Sequence, residues 1–132
     1  MNPLQNIAEE YAERIWNNKD LSAIDELLDP QIVIHSSLGQ FQGKEAMRRI
    51  VEVWLTAFSN LNVKTLATIS DQDLVVLHWE AKGTHLGEFK GLSATGKPVS
   101  YSGVTIYRLE NGKITEYWAY VDMLHLLDQI KK

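Results

Sequence analysis

Ile106-Tyr107-Arg108-Leu109-Glu110-Asn111-Gly112-Lys113-Ile114-Thr115-Glu116-Tyr117-Trp118 is the stretch that decides how this chain folds. Apolar and polar side chains alternate on both sides of Glu110-Asn111-Gly112-Lys113, a turn signal. Alternation with period two marks strands rather than helices. The stretch therefore predicts two successive long strands, over about residues 99–109 and 114–122.

Working outward, two more strands are predicted over 62–70 and 74–86, joined by the turn Ser70-Asp71-Gln72-Asp73. Before residue 60 the period is helical. Asn2-Pro3 offers a cap and a first-turn proline, and Leu4, Ile7, Ala8, Tyr11, Ala12, Ile15 and Trp16 follow at helical spacing. Asp20 can cap a second short helix that Asp29-Pro30 stops. Residues 31–36 read as a short strand carrying His35. Gly43 precedes a third helix with the stripe Ala46, Met47, Ile50, Val51, Trp54, Leu55 and Phe58, and a last short helix is expected over 123–131. Helices followed by a meander of long strands predict an α+β fold, read as one domain over residues 1–132.

Alternation also assigns faces. His85 shares a face with Val75, Leu77, Trp79 and Ala81, which places it inside, and His78 falls outside. In the last strand Ile114, Glu116, Trp118, Tyr120 and Asp122 share one face, and Thr115, Tyr117, Ala119 and Val121 share the other. Both carry aromatics, so the pattern leaves open which is interior. Apolar residues on both faces of the meander, with Val104 and Ile106 opposite Tyr101, Thr105 and Tyr107, predict a homodimer through the outer face.

The bulk composition narrows the function classes. A net charge of −4 argues against non-specific nucleic-acid binding. No apolar run approaches the ~20 residues that span a bilayer, and no signal-peptide pattern opens the chain. The absence of cysteine removes disulfide and thiolate chemistry. A cytoplasmic protein is expected. The segment Gly91-Leu92-Ser93-Ala94-Thr95-Gly96-Lys97 has the spacing of a phosphate loop, but Pro98 and a strand follow where the motif needs Ser or Thr and a helix. Asp122 and His125 sit three apart without a third ligand, so no metal and no cofactor is expected.

Asp122 closes a strongly apolar run. A carboxylate taken into an apolar interior is costly unless partnered or protonated, which makes it a candidate general base. The alternative is a cap on the last helix through the amide of Leu124 or His125. His85 is either a pocket imidazole or a core histidine bonded to a neighbouring strand. His35 is either a pocket residue or a loop histidine in solvent. Trp16, Phe41, Trp54, Phe58, Trp79, Tyr101, Trp118 and Tyr120 are candidate walls of a pocket for a bulky, flat or greasy ligand, each with plain core as its alternative.

The ordered blocks Gly83-Thr84-His85, Thr95-Gly96-Lys97, Tyr107-Arg108, Gly112-Lys113-Ile114, Glu116, Trp118 and Asp122 resemble the SnoaL-like polyketide cyclase and ester cyclase family of the nuclear transport factor 2-like superfamily. The resemblance implies a cone built from a curved mixed or antiparallel sheet, three N-terminal helices and a short C-terminal helix. It implies that Asp122 faces the pocket as acid/base, with His85 and His35 polarising a carbonyl. The activity it implies is cyclisation or isomerisation of a small hydrophobic carbonyl compound, cyclase-like or ester cyclase-like and without cofactor. The same fold also serves as a non-catalytic small-molecule binding module.

Overall fold

Asn2 starts the first helix: its side-chain oxygen accepts the Leu4 amide at 2.8 Å, and Pro3 takes the first helical position. The computed structural model describes residues 2–131. Helix α1 (Pro3–Ala12) buries Ala8 and Tyr11 and runs into a wider π turn, Glu13–Asn17. That turn is pinned to the sheet edge. The Asn17 amide nitrogen donates to the Val63 carbonyl at 2.8 Å, and its oxygen accepts the Val63 amide at 2.7 Å.

Helix α2 (Ser22–Leu27) ends where β1 (Leu28–Ser36) begins, one residue before the expected Asp29-Pro30 stop. β2 (Gly39–Gln42) is a short antiparallel neighbour of β1. Its four residues are all exposed, so no alternation announced it. Helix α3 (Lys44–Ala57) buries Ala46, Met47, Ile50, Val51 and Trp54 as its spacing predicts. The chain then forms β3 (Asn62–Asp71), β4 (Leu74–Thr84), β5 (Pro98–Glu110), β6 (Lys113–Val121) and α4 (Met123–Lys131).

The six strands make one curved mixed sheet in the order β2-β1-β6-β5-β4-β3. Neighbours are antiparallel except β1 and β6, which run parallel. Helix α1, the π turn and α3 supply Tyr11, Ile15, Met47, Val51 and Trp54 to a core closed by Leu77, Tyr101, Tyr107 and Tyr117 of the sheet. The expected α+β cone is thus present. No helix among the described residues is long and apolar enough to cross a membrane.

One irregularity decides the faces of β6. Arg108 pairs with Glu116, but Leu109 pairs with Ile114, so Thr115 is an extra residue in the strand. Ile114 is therefore fully buried on the same side as Tyr117, and does not share the outer face with Trp118 and Tyr120 as strict alternation would have it. His85 is fully buried and His78 exposed, both as alternation predicts.

The link after β4 is held tightly to α3: the Leu86 and Gly87 amides donate to the Ala57 carbonyl at 2.8 and 3.1 Å. A Cβ on Gly87 would lie 2.2 Å from the Thr56 carbonyl oxygen, so the backbone must give way to any side chain there. Gly87→Ala is expected to lower stability by about 1–3 kcal/mol, the usual cost of overpacking. Chemical denaturation of the two proteins checks it.

Candidate functional site

The inner face of the sheet and the helices across it enclose an apolar slot. Its helical wall is Ala12, Trp16, Ile50 and Trp54; its floor is Leu77, Trp79, Tyr101, Thr105, Tyr107, Tyr117, Ala119 and Val121. Ser36 and Ser37, at the end of β1, and Leu61, Val63 and Thr65 complete the lining. The slot has a free volume of about 50 Å³ and opens to solvent at its mouth. The space is narrow and suits a thin ligand.

Trp16 reaches the slot from the π turn, whose altered pitch follows directly on the lining residue Ala12. Trp79 donates its indole N–H to Thr105 Oγ1 at 2.9 Å, one of the polar contacts within the floor. Tyr107 and Tyr117 meet edge to face with ring centres 5.6 Å apart. Behind them the Tyr11 ring packs on Tyr107 at 6.2 Å, and its hydroxyl is buried without a partner among the described residues. Burial pushes the hydroxyls of Tyr11, Tyr101, Tyr107 and Tyr117 above the ordinary phenol range; neighbouring Tyr117 and Tyr107 raise Tyr11 further. These phenols are neutral donors throughout the physiological range. None of the seventeen lining residues is a carboxylate, an imidazole or an ammonium group.

The three proposed acid/base residues do not converge in this geometry. Asp122 is exposed and sits between β6 and α4. Its side chain accepts the His125 amide at 3.2 Å, its carbonyl accepts the Leu126 amide, and its own amide bonds Ser102. This is the helix-cap arrangement. The parity of β6 explains it, since Tyr117, Ala119 and Val121 line the slot and alternate residues point away.

His85 is fully buried beside Phe58, with ring centres 5.8 Å apart. Its Nδ1 lies 3.0 Å from Thr95 Oγ1 and accepts the Thr95 amide at 3.3 Å, while Nε2 has no partner among the described residues. It ties the 85–97 loop together and does not line the slot. His35 lies on the outer face. Its Nε2 is 2.8 Å from Glu116 Oε2, and its ring stacks on Trp118 at 5.3 Å. Arg108 sits over the same Trp118 ring and bonds Asp73.

Of the eight proposed wall aromatics, Trp16, Trp54, Trp79 and Tyr101 line the slot. Phe58 is buried behind them against Trp54 and Phe89. Phe41 lies exposed on β2, and Trp118 and Tyr120 belong to the outer face. Sequence reasoning passed over Thr105, Tyr107 and Tyr117 as site residues. The first two share parity with Tyr101 on one strand, and that signal was sufficient to find them. Tyr117 needed the Thr115 bulge.

The model of the SnoaL-like polyketide cyclase family matches residues 6–130. AclR, a putative hydroxylase from Streptomyces galilaeus, is similar at 30% identity over 97% of this chain and 95% of its own, with a TM-score of 0.86. IdmH, a putative polyketide cyclase from Streptomyces antibioticus, is 25% identical over the whole of both chains, with a TM-score of 0.82. A putative polyketide cyclase from Acidithiobacillus ferrooxidans shares the fold at 22% identity, covering 98% and 95% of the two chains, with a TM-score of 0.87. Among curated proteins none matches the chain.

Two outcomes follow from the site. Asp122→Ala is expected to cost about 1 kcal/mol of stability and Asp122→Asn only a few tenths, as for a cap; urea denaturation of both variants measures it. The four buried phenols hold protons in the folded state that the unfolded chain releases near the ordinary phenol value of about 10. Folding is therefore fully supported below that pH and loses stability as pH rises above it. In an alkaline titration, tyrosinate absorbance from these four should appear only together with loss of far-ultraviolet circular dichroism.

Proposed function

The chain belongs to the SnoaL-like polyketide cyclase family, and from the geometry of its cone we propose that it takes up a flat, mostly apolar molecule bearing a carbonyl and holds that oxygen with hydroxyl groups. One observation carries the reading: the slot is lined by aromatic and aliphatic residues together with neutral hydroxyls, without a charged side chain. Burying a polar ligand atom without a partner costs about 1–3 kcal/mol, so such a wall selects a ligand whose oxygen meets a donor. A sugar or a phosphate would leave most of its polar atoms unpaired there. In the form the lining favours, the chain is a binding module that orients and shields its ligand. The lining offers no proton acceptor of ordinary carboxylate or imidazole strength.

A second reading keeps an enzyme, a cofactor-independent cyclase or isomerase working by general acid–base proton transfer. Family membership supports it, as do the names of similar structures. In that reading the phenols of Tyr107 and Tyr117 stabilise an enolate oxygen. Asp122 supplies the base after leaving its cap on α4, with His85 and His35 as the remaining candidates. We also propose a homodimer through the sheet's outer face. Ile69 and Tyr120 there are 64% and 59% exposed, large apolar areas for a face that water would otherwise cover. Sedimentation velocity at micromolar concentration should give the dimer mass; a monomer contradicts this.

Titration calorimetry with a flat aromatic ketone, paired with a product assay on a linear poly-β-ketone, separates the readings. Binding without product is expected. Tyr117→Phe should weaken binding about 5-fold, in line with about 1 kcal/mol for one hydrogen bond, and Asp122→Asn should leave it unchanged. Ring-closed product formed by the wild type and reduced by at least ~10²-fold in Asp122→Asn would establish the enzyme instead. A wild-type protein that neither binds the ketone nor converts the chain removes both readings.

A further inference from the structure

The inward-facing residues of β5 run Val99, Tyr101, Gly103, Thr105, Tyr107, a row of ring and branched side chains interrupted by one with none. The register sets Gly103 opposite Trp79 of β4. A Cβ on Gly103 would lie 2.5 Å from Trp79 Cζ2 and 2.8 Å from Cη2, and 2.5 Å from the Tyr120 carbonyl oxygen. Glycine is required here for close approach: the indole lies across the notch it leaves in the sheet.

Both sides of the notch then fix the ring. Its Nε1–H donates to Thr105 Oγ1 at 2.9 Å, and the Tyr101 ring meets it edge-on at 5.9 Å and 86°. An indole N–H has only this one polar bond to make, so the tie to Thr105 selects one of the two ways the ring can lie. Trp79, Tyr101 and Thr105 all line the slot, and Trp79 remains half-buried, open on the ligand side.

We propose that Trp79, seated on Gly103 and tied to Thr105, is the specificity-determining residue of the slot, a fixed flat wall that admits planar conjugated rings and rejects puckered saturated rings of the same outline. The inference rests on the proposed uptake of a carbonyl compound and adds what sets the shape of that compound's ring. A planar ring stacks in the offset manner aromatic pairs favour and keeps to the narrow gap. A saturated ring is thicker, loses the stacking and needs the indole to move. The indole cannot move freely, because its seat is backbone and its N–H is bonded.

The test uses two probes that carry the same ketone, 2-acetylnaphthalene and its saturated counterpart 2-acetyldecalin, titrated calorimetrically into the wild type, Thr105→Val and Trp79→Leu. Near-ultraviolet circular dichroism reports whether the indole has lost its fixed setting, and far-ultraviolet circular dichroism reports the fold. The wild type should bind the planar probe at least ~5-fold more tightly, within the range that aromatic stacking supplies. Thr105→Val should keep the fold, weaken the near-ultraviolet signal and reduce that preference. Trp79→Leu should bring the ratio near one while both probes still bind. Equal wild-type affinity for the two probes overturns the proposal and leaves carbonyl uptake standing. So does a preference that survives in Trp79→Leu. Failure of the wild type to bind either probe removes the carbonyl reading itself. Where Trp79→Leu does not fold, Thr105→Val decides, and an unreduced preference in that variant overturns the assignment to Trp79.

Discussion

The extra residue Thr115 in β6 is the constraint on which the site depends. Opposite it, β5 passes from Arg108 to Leu109 without a gap, so the two strands change parity relative to each other. Ile114 and Tyr117 both turn inward as a result. From Tyr117 onward, Tyr117, Ala119 and Val121 face the slot, and Glu116, Trp118 and Tyr120 face away. A one-residue change of register moves a whole set of side chains across a sheet. Here it gives the slot a phenol where it would otherwise have a glutamate.

The partition of charge follows the cost of burial. An uncompensated ion in an apolar slot is penalised far more than a hydroxyl that can bond locally. The carboxylate, imidazole and guanidinium groups around β5 and β6 accordingly collect on the outer face, where Glu116 lies 2.8 Å from His35 and 3.6 Å from Arg108, and the Trp118 ring stacks on His35 and lies under the Arg108 guanidinium. The inner face keeps hydroxyls and indole. His85 is the buried exception, and it serves the chain: its backbone and ring together bond Thr95, Gly96 and Lys97 and so close the loop that begins β5.

Long-range order was legible wherever period and capping agreed. The stripe of α3, the cap at Asn2 and the four long strands appear within a residue or two of their expected limits, because each is specified by many residues at once. The short strand β2 was not legible, since four exposed residues carry no pattern and pair only because β1 is beside them. The π turn at Glu13–Asn17 was likewise hidden: its spacing differs from an α-helix by less than one residue, and the residue that ends it, Asn17, bonds Val63, far away in the sequence. For the slot, Trp16, Trp54, Trp79 and Tyr101 could be named from spacing alone. Tyr117 could not, because a bulge is a property of two strands and shows in neither by itself. Asp122 was expected at the pocket from the family resemblance, since the alternation of its strand left its face open. It is the last residue before α4, and the free amides of that helix claim it.

The central claim is that a bound carbonyl meets neutral hydroxyls and no carboxylate or imidazole. The carbonyl stretching frequency of an isotopically labelled flat ketone bound in the slot tests it most directly. The account predicts a shift to lower frequency than in an apolar solvent, from hydrogen bonding, that stays constant from about pH 5 to pH 8, the range in which histidine and raised carboxylates titrate. A frequency that changes with a sigmoidal pH dependence in that range would place an imidazole or a carboxylate at the carbonyl and contradict it.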